Sequence, residues 1–466
     1  MKLAEIIQEF GQEHLLRFTD QLTPEQRERL YQELSQIDFS QLQRLTSGQG
    51  TTYDWAALAS RAQLPPAIGL GREVQSIAGT DIARHDALMA GEEALRAGRV
   101  GMILVAGGQG TRLGFDKPKG MFPVAPLSQR SLFQMHCDRL LAVMKRYATS
   151  IPLFVMTSPA TDAPTREYFD AHERCGIPDD QLRIFCQGMM PAVDAKTGKV
   201  LMKSKGELAL SPDGHGGLVA ALDRSGSLRE AKDRGVDLFY YVQVDNPLAE
   251  LCDPEIIGYH LLSQSQMTSQ VIRKRFAKEK VGNVVEVDGK VMIIEYSDLP
   301  DEAAEQVDSH GALKLWAGSI AIHVFDRTFL ESVVTSADGL PFHRAHKPVP
   351  YIDDHGQRIE PTEANAIKFE RFVFDLLPLA RNPIVVEADP ARVFAPVKNA
   401  DGAPVDTPAH TKQAILSQHR GWLEAAGAEI ASGVQIEIHP DWALDGEEVK
   451  SKLAPGTKFL ADTYLR

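Results

Sequence analysis

VGMILVAGGQGTRLGFDKPKG, residues 100–120, opens with an apolar run, Val100–Val105, that shows no polar alternation. A strand covered on both faces reads this way, as in a parallel sheet flanked by helices. The run ends in Ala106-Gly107-Gly108 and continues through Gly110 and Gly114. Glycine lets backbone N–H groups approach an anion closely and permits positive φ. Arg112 and Lys119 add two cations to the same segment. The combination is a phosphate cradle at a strand's C-terminal edge, with charge to neutralise a polyphosphate. It is not a P-loop, because no GxxxxGK[ST] occurs there. It is not the dinucleotide fingerprint GxGxxG either, because Leu113 stands where the third glycine belongs.

Outward from this stretch, strands alternate with helices. Ser131–Tyr147 is amphipathic at helical spacing. Pro152–Met156, the segment from Asp180 to Phe185, and Leu238–Val244 read as three further buried strands. That alternation argues for a mainly parallel α/β sheet. Val281–Tyr296 alternates around Val287-Asp-Gly-Lys and reads as a hairpin. Residues 1–95 read as a helical N-terminal region. Leu3, Ile6, Ile7 and Phe10 recur at helical spacing, and Thr23-Pro24-Glu25-Gln26 is a helix start whose helix continues through RERLYQELSQIDFSQLQRL. A Ser/Gly/Thr-rich loop follows near Ser47–Thr52, and ALMAGEEALRAGRV is a further helix ending at Gly98. Beyond residue 400 a helix, Thr411–Ala426, precedes short strand-like pieces such as Val434–Ile438. The expected organisation is 1–95 helical, 96–400 catalytic, and 401–466 a small C-terminal domain.

The 466 residues carry 63 acidic and 50 basic side chains, a formal charge of −13. A net-acidic chain repels nucleic acid and anionic membranes unless it has a local basic patch. The notable cationic cluster is Arg273-Lys274-Arg275 with Lys278 and Lys280, which reads as a solvated face able to add positive potential near a phosphate site. No apolar run approaches the ~20 residues a membrane helix needs. Cys137, Cys175, Cys186 and Cys252 form no CxxC, which fits a reducing compartment and a cytoplasmic protein. His343, His346 and His355, and the His172-Glu173 pair, show no metal-ligand spacing and read as structural.

AGGQGTRLG (106–114) followed by PKGMFPV (118–124) resembles the signature of the UDP-sugar pyrophosphorylase family. Within it, the likeness is greatest to the eukaryotic-type UDP-N-acetylglucosamine pyrophosphorylases. SLFQMHCDRL, FVMTS, PDGHGGL, VDNPL, VGNVVEVDGK with EYS, IKFERFVFD and PVKNAD, in that order, extend the resemblance over most of residues 85–415. It implies a Rossmann-like nucleotidyltransferase (GT-A-like) central domain, between the helical N-terminal region and the small C-terminal domain. It also implies roles. Ala106, Gly107, Gly108, Gly110 and Thr111 would bind nucleotide, and Gln187 and Gly214 would read uracil. Arg112, Lys119 and Lys398 would be catalytic, meeting charge on the phosphates. Asp245 would hold Mg2+. Its position after the apolar strand LFYYVQV suits this, since α/β sheets bind ligands at the carboxyl ends of their strands; a helix N-cap before Asn246-Pro247 is the plainer reading of that residue alone. Gly282, Glu295, Tyr296, Ser319 and Lys368 would face the sugar phosphate, together with His215.

The sequence departs from the resembled pattern on the sugar side. His215 stands where the hexosamine enzymes carry asparagine, as in glucose-preferring relatives. Trp316, Ser319 and Ile322 replace asparagines of the family's FNAGNIANHFF. The phosphate and uracil positions are unaffected. The reaction implied is UTP plus a sugar 1-phosphate, first N-acetylglucosamine 1-phosphate, giving a UDP-sugar and pyrophosphate. A UTP–glucose-1-phosphate uridylyltransferase or broad UDP-sugar pyrophosphorylase is the alternative, and a non-catalytic sugar-nucleotide sensor is the alternative of another class.

Overall fold

The computed structural model describes residues 3–47, 54–77, 79–336 and 339–466. Beyond Ser47, the loop expected at Ser47–Thr52 lies outside the described residues. The chain forms two compact units, each assembled from separated segments: residues 1–53, 187–221 and 335–375 make one, and residues 54–186, 222–334 and 376–466 the other.

The second, larger unit is built on a ten-stranded sheet among the described residues. Its strands are β1 (Ala67–Ile68), β2 (Val100–Val105), β3 (Leu153–Thr157), β4 (Leu182–Cys186) and β5 (Leu238–Gln243). They continue with β6 (Met267–Arg273), β7 (Gly282–Val287), β8 (Lys290–Ile294), β9 (Ala317–Asp326) and β10 (Ile384–Ala388). The spatial order is β1-β10-β6-β9-β5-β2-β3-β4, with the β7–β8 hairpin attached to β9. Along that row β9 is antiparallel to both neighbours and the remaining pairs are parallel. The unbroken apolar runs have their reason here. β2, β3 and β5 are buried almost throughout, because helices cover the sheet's faces.

The helix Leu132–Tyr147 starts where expected. Ser131 Oγ accepts from Gln134 N, and the Gln134 side chain accepts from Ser131 N, a complete capping box. In the β7–β8 hairpin, Asp288 (φ 52°) and Gly289 (φ 77°) both adopt positive φ, as a two-residue type I′ turn requires. The C-terminal residues fold within this unit. Helix Pro408–Ala425, capped by Thr407, packs with Ile436, Ile438, Val449 and Phe459. Buried Glu437 anchors the piece by accepting from Leu127 N (2.6 Å), Ser128 N (2.8 Å) and Ser128 Oγ (2.5 Å).

The smaller unit packs helices Leu3–Glu9, Pro24–Ser35 and Phe39–Thr46 around Ile7, Leu15, Leu30, Leu34, Val193 and Phe369. The start at Thr23-Pro24 forms the expected capping box with Gln26. Two N-terminal expectations change. The helix begun there ends at Ser35, because Asp38 Oδ1 accepts from Gln41 N (2.8 Å) and caps a new helix. Residues 1–95 are also not helical throughout: β1 and the hairpin Val74–Ile77/Thr80–Ala83 precede helix Arg84–Arg96. Those strands are short, and Gln75 and Asp81 obscure their alternation. Among the described residues no helix is long and apolar enough to cross a membrane.

Candidate functional site

In the larger unit the carboxyl ends of β2 and β5 lie side by side, with Val105 opposite Gln243 and Val244 N donating to Val105 O (3.0 Å). Two loops therefore leave one edge of the sheet together. The first is the glycine-rich loop. Gly110 N donates to Lys117 O (2.9 Å) and Lys119 N to Gly108 O (3.0 Å), so the loop folds back on itself. Gly110 has to be glycine there, because a Cβ would press on the Phe115 ring and carbonyl at 2.7 Å. Among the described residues nothing accepts from the N–H groups of Gly107, Gly108 or Gln109, which leaves them as backbone donors for an anion. Ala106 N is used by Met156 O. Thr111 and Arg112 lie exposed on a single 3-10 turn, and Arg112 has no ion pair among the described residues.

The second loop carries Asp245. Its Oδ2 lies 3.4 Å from Lys119 Nζ, both side chains being less than one-fifth exposed. The two expected phosphate-side groups thus meet across adjacent strand ends. No helix begins at Asn246, so the helix-cap alternative for Asp245 is set aside. Asp245 O accepts from Val397 N (2.8 Å), which brings in the residue before Lys398. Lys398 Nζ stands over the Phe394 ring at 5.6 Å. Lys398 N and Asn399 N both donate to Asp406 O. Burial raises the Asp406 carboxyl above its usual range, Lys398 and Arg275 pull it down, and Asp245 pushes it up. His136, on helix Leu132–Tyr147, donates from Nε2 to Val244 O (3.0 Å); burial pushes its pKa down to about 4, so it is a neutral donor.

A third group gathers beside the β7–β8 hairpin. Gly282 pairs directly with Ser319 of β9. A Cβ on Gly282 would stand 2.7 Å from Ile293 Cγ2, 3.3 Å from Glu295 Oε1 and 3.9 Å from Ser319 Cβ, so Gly282, Glu295 and Ser319 share one place. β9 bulges at Ile320–Ala321, where Ala321 has φ 56° and its N donates to Ser319 Oγ (3.4 Å). Such bulges re-aim side chains at sheet edges and sites. Tyr296 is 46% exposed. Trp316 and Ile322, which replace asparagines of the resembled pattern, are buried, and Trp316 stacks under the Arg273 guanidinium at 4.3 Å. The basic run is not wholly a solvated face. Lys274 is 6% exposed and donates to Asn283 Oδ1 (2.5 Å) and Ala277 O (3.3 Å), because the preceding strand carries it under the hairpin.

The smaller unit holds Gln187, Gly214, His215 and Lys368. Gln187 is buried, and Gly188 O accepts from Asp213 N (3.1 Å), tying it to the second glycine cluster. Gly214 has φ 81° and packs its Cα against the Arg371 carbonyl, a place with no room for a side chain. His215 Nδ1 accepts from Val373 N (3.1 Å), and its ring packs on Phe372 and Phe374. Burial, with His343 nearby, pushes its pKa down to about 4, so the imidazole is neutral with its proton on Nε2. His343 Nε2 pairs with Asp375 Oδ2 (2.8 Å). Lys368 lies on strand Ala366–Glu370, opposite Ala345. Sequence reasoning missed Asn246, Asp406, Thr411 and His136 around the Asp245 edge; Asn246 stood next to a residue already singled out, and the others carried no local signal.

A family model described as UTP--glucose-1-phosphate uridylyltransferase matches residues 70–428. The chain belongs to this uridylyltransferase family. It is 34% identical over 457 residues to the UDP-N-acetylglucosamine pyrophosphorylase of Saccharomyces cerevisiae, covering 95% of this chain and 94% of that one. It is 36% identical over 451 residues to the human UDP-N-acetylhexosamine pyrophosphorylase-like protein 1, covering 94% and 87%. The crystal structure of the uridine diphosphate N-acetylglucosamine pyrophosphorylase from Trypanosoma brucei, in complex with an inhibitor, superimposes with a TM-score of 0.81 at 25% identity, over 100% of this chain and 98% of that chain.

Proposed function

We propose that this uridylyltransferase joins UTP and N-acetylglucosamine 1-phosphate into UDP-N-acetylglucosamine, releasing pyrophosphate. The observation that carries the reaction is the meeting of Lys119, Asp245 and the Lys398 loop at neighbouring parallel strand ends, beside unpaired backbone donors of the glycine loop. The sugar rests on the relatives, whose names specify N-acetylated hexosamines and speak for that reading over the glucose alternative. A neutral, Nε2-protonated His215 offers a donor where the hexosamine enzymes have an asparagine amide, and so is compatible with the same sugar.

In the reaction an oxygen of the sugar phosphate attacks the α-phosphorus of UTP in line, and the bond to the pyrophosphate breaks. The nucleophile needs no general base, since a phosphate monoester with a second pKa of ~6 is largely ionised at neutral pH. The protein's work is to hold two polyanions together and to meet the transition state's charge. The N–H groups of Gly107, Gly108 and Gln109 cradle UTP phosphates, and Arg112, Lys119 and Lys398 supply cations. Gln187 and Gly214 read uracil. In the larger unit Gly282, Glu295, Tyr296 and Ser319 are the sugar-side residues; in the smaller unit His215 and Lys368 are, with Lys368 toward the phosphate. Asp245 suits Mg2+, being a hard oxygen donor at a strand end that is partly open to solvent, and Mg2+ commonly takes one or two carboxylates plus substrate phosphates. When bound, the ion would neutralise phosphate charge. The four free thiols suit a reducing, cytoplasmic setting.

The test is pyrophosphate release from UTP with Mg2+, comparing N-acetylglucosamine 1-phosphate with glucose 1-phosphate. We expect preference for the N-acetylated sugar, and a loss of about a thousandfold in Asp245→Ala with the fold intact. Preference for glucose 1-phosphate would overturn the sugar assignment. No release with either, from folded protein that still binds UTP, would overturn the reaction.

A further inference from the structure

The loop that carries Lys398 has no regular secondary structure between Phe394 and Ala400. An irregular segment stays in one place only if its backbone groups find partners elsewhere. Here two buried side chains on different elements supply them. Asn246 is 4% exposed. Its Nδ2 donates to Val393 O (2.7 Å) and its Oδ1 accepts from Ala395 N (3.1 Å). A carboxamide is a donor and an acceptor in one group, so it pairs with two alternate residues as a neighbouring strand would. From the other side Thr411, 1% exposed and in the first turn of helix Pro408–Ala425, donates from Oγ1 to Ala395 O (3.1 Å), with Pro396 O at 3.3 Å. Val397 N then reaches Asp245 O (2.8 Å).

We infer that Asn246 and Thr411 are positioning residues that fix the Lys398 ammonium relative to the Asp245 strand end, and that the C-terminal helix thereby serves the reaction. The inference rests on the reading of Lys398 as a phosphate-side group. Neither residue touches the reacting atoms; each acts through Lys398. A misplacement of ~1 Å in such a group costs on the order of a hundredfold in rate.

The experiment is a double-mutant cycle in the full-length enzyme, with kcat and both KM values read from pyrophosphate release. Thr411→Val is isosteric and removes only the hydroxyl, and Asn246→Asp keeps shape but replaces the donor to Val393 O. In the native background each is expected to lower kcat at least tenfold, with KM for UTP unchanged within twofold. In a Lys398→Ala background the same substitutions are expected to change kcat less than twofold, since what they position is gone. Thr411→Ser restores the hydroxyl and is expected to stay within twofold of the native enzyme, which keeps the test valid should the valine variant fold poorly. Equal losses in both backgrounds, or a serine variant as impaired as the valine one, overturn the inference. A Lys398→Ala enzyme with unchanged kcat would instead overturn the reading of Lys398 itself.

Discussion

Replacing His136 by leucine isolates a proton that the folded protein refuses. The ring is buried on helix Leu132–Tyr147 and donates from Nε2 to Val244 O, one residue before Asp245. Burial, the largest cause, with Arg139 adding to it, outweighs the Val244 bond and holds the imidazole pKa at about 4 rather than 6.5. Between those values the unfolded chain binds a proton that the native state does not. The stability contributed is therefore fully present above pH 6.5 and is lost as pH falls toward 4. The gap is worth about 3 kcal/mol when fully developed and about 2 kcal/mol at pH 5. His136→Leu should be less stable than the native protein at pH 7, by roughly 1–2 kcal/mol for the lost bond to Val244 O. It escapes the acid penalty, so the difference between the two proteins should shrink by about 2 kcal/mol between pH 7 and pH 5. Paired urea denaturation curves at pH 7, 6 and 5, followed by tryptophan fluorescence, measure that difference while other acid effects cancel. A difference that stays constant with pH would refute the reasoning.

Gly282→Ala places a methyl against Ile293 Cγ2 and toward Glu295 Oε1. It should raise KM for the sugar 1-phosphate about tenfold, equivalent to ~1.4 kcal/mol, and leave KM for UTP unchanged; equal changes in both would separate Gly282 from the sugar. Glu437→Leu removes both acceptor oxygens to which Leu127 N, Ser128 N and Ser128 Oγ donate. It should cost about 3 kcal/mol. The check is a lower urea midpoint together with faster proteolytic cleavage after residue 400, and an unchanged digestion pattern would count against the anchor.

The sheet was legible because burial on both faces leaves an unmistakable mark: Val100–Val105, Leu153–Met156 and Leu238–Val242 are apolar without alternation. Caps were legible for the same local reason, since Ser131 and Thr23 need only the next three residues to form their boxes. The short strands at 67–83 were not, because two to four residues carry too little periodicity to outvote the helical text around them. The strand direction of β9 was equally hidden, since hydrophobic pattern does not encode whether a neighbour runs parallel.

The same division holds at the site. A glycine-rich loop after a buried strand, a carboxylate after another, and the family's ordered motifs were all written in the sequence, because each depends on residues adjacent in the chain. Only the tertiary structure could place Lys119 3.4 Å from Asp245, more than a hundred residues away. Only it could set Gly282, Glu295 and Ser319 together, or bury Lys274 within a run that looks like solvated charge. It alone could give Asn246 and Thr411 a loop to hold. The reason is physical: strand pairing and helix packing join segments distant in the chain, and a side chain's partners, burial and protonation follow from that joining rather than from its sequence neighbours.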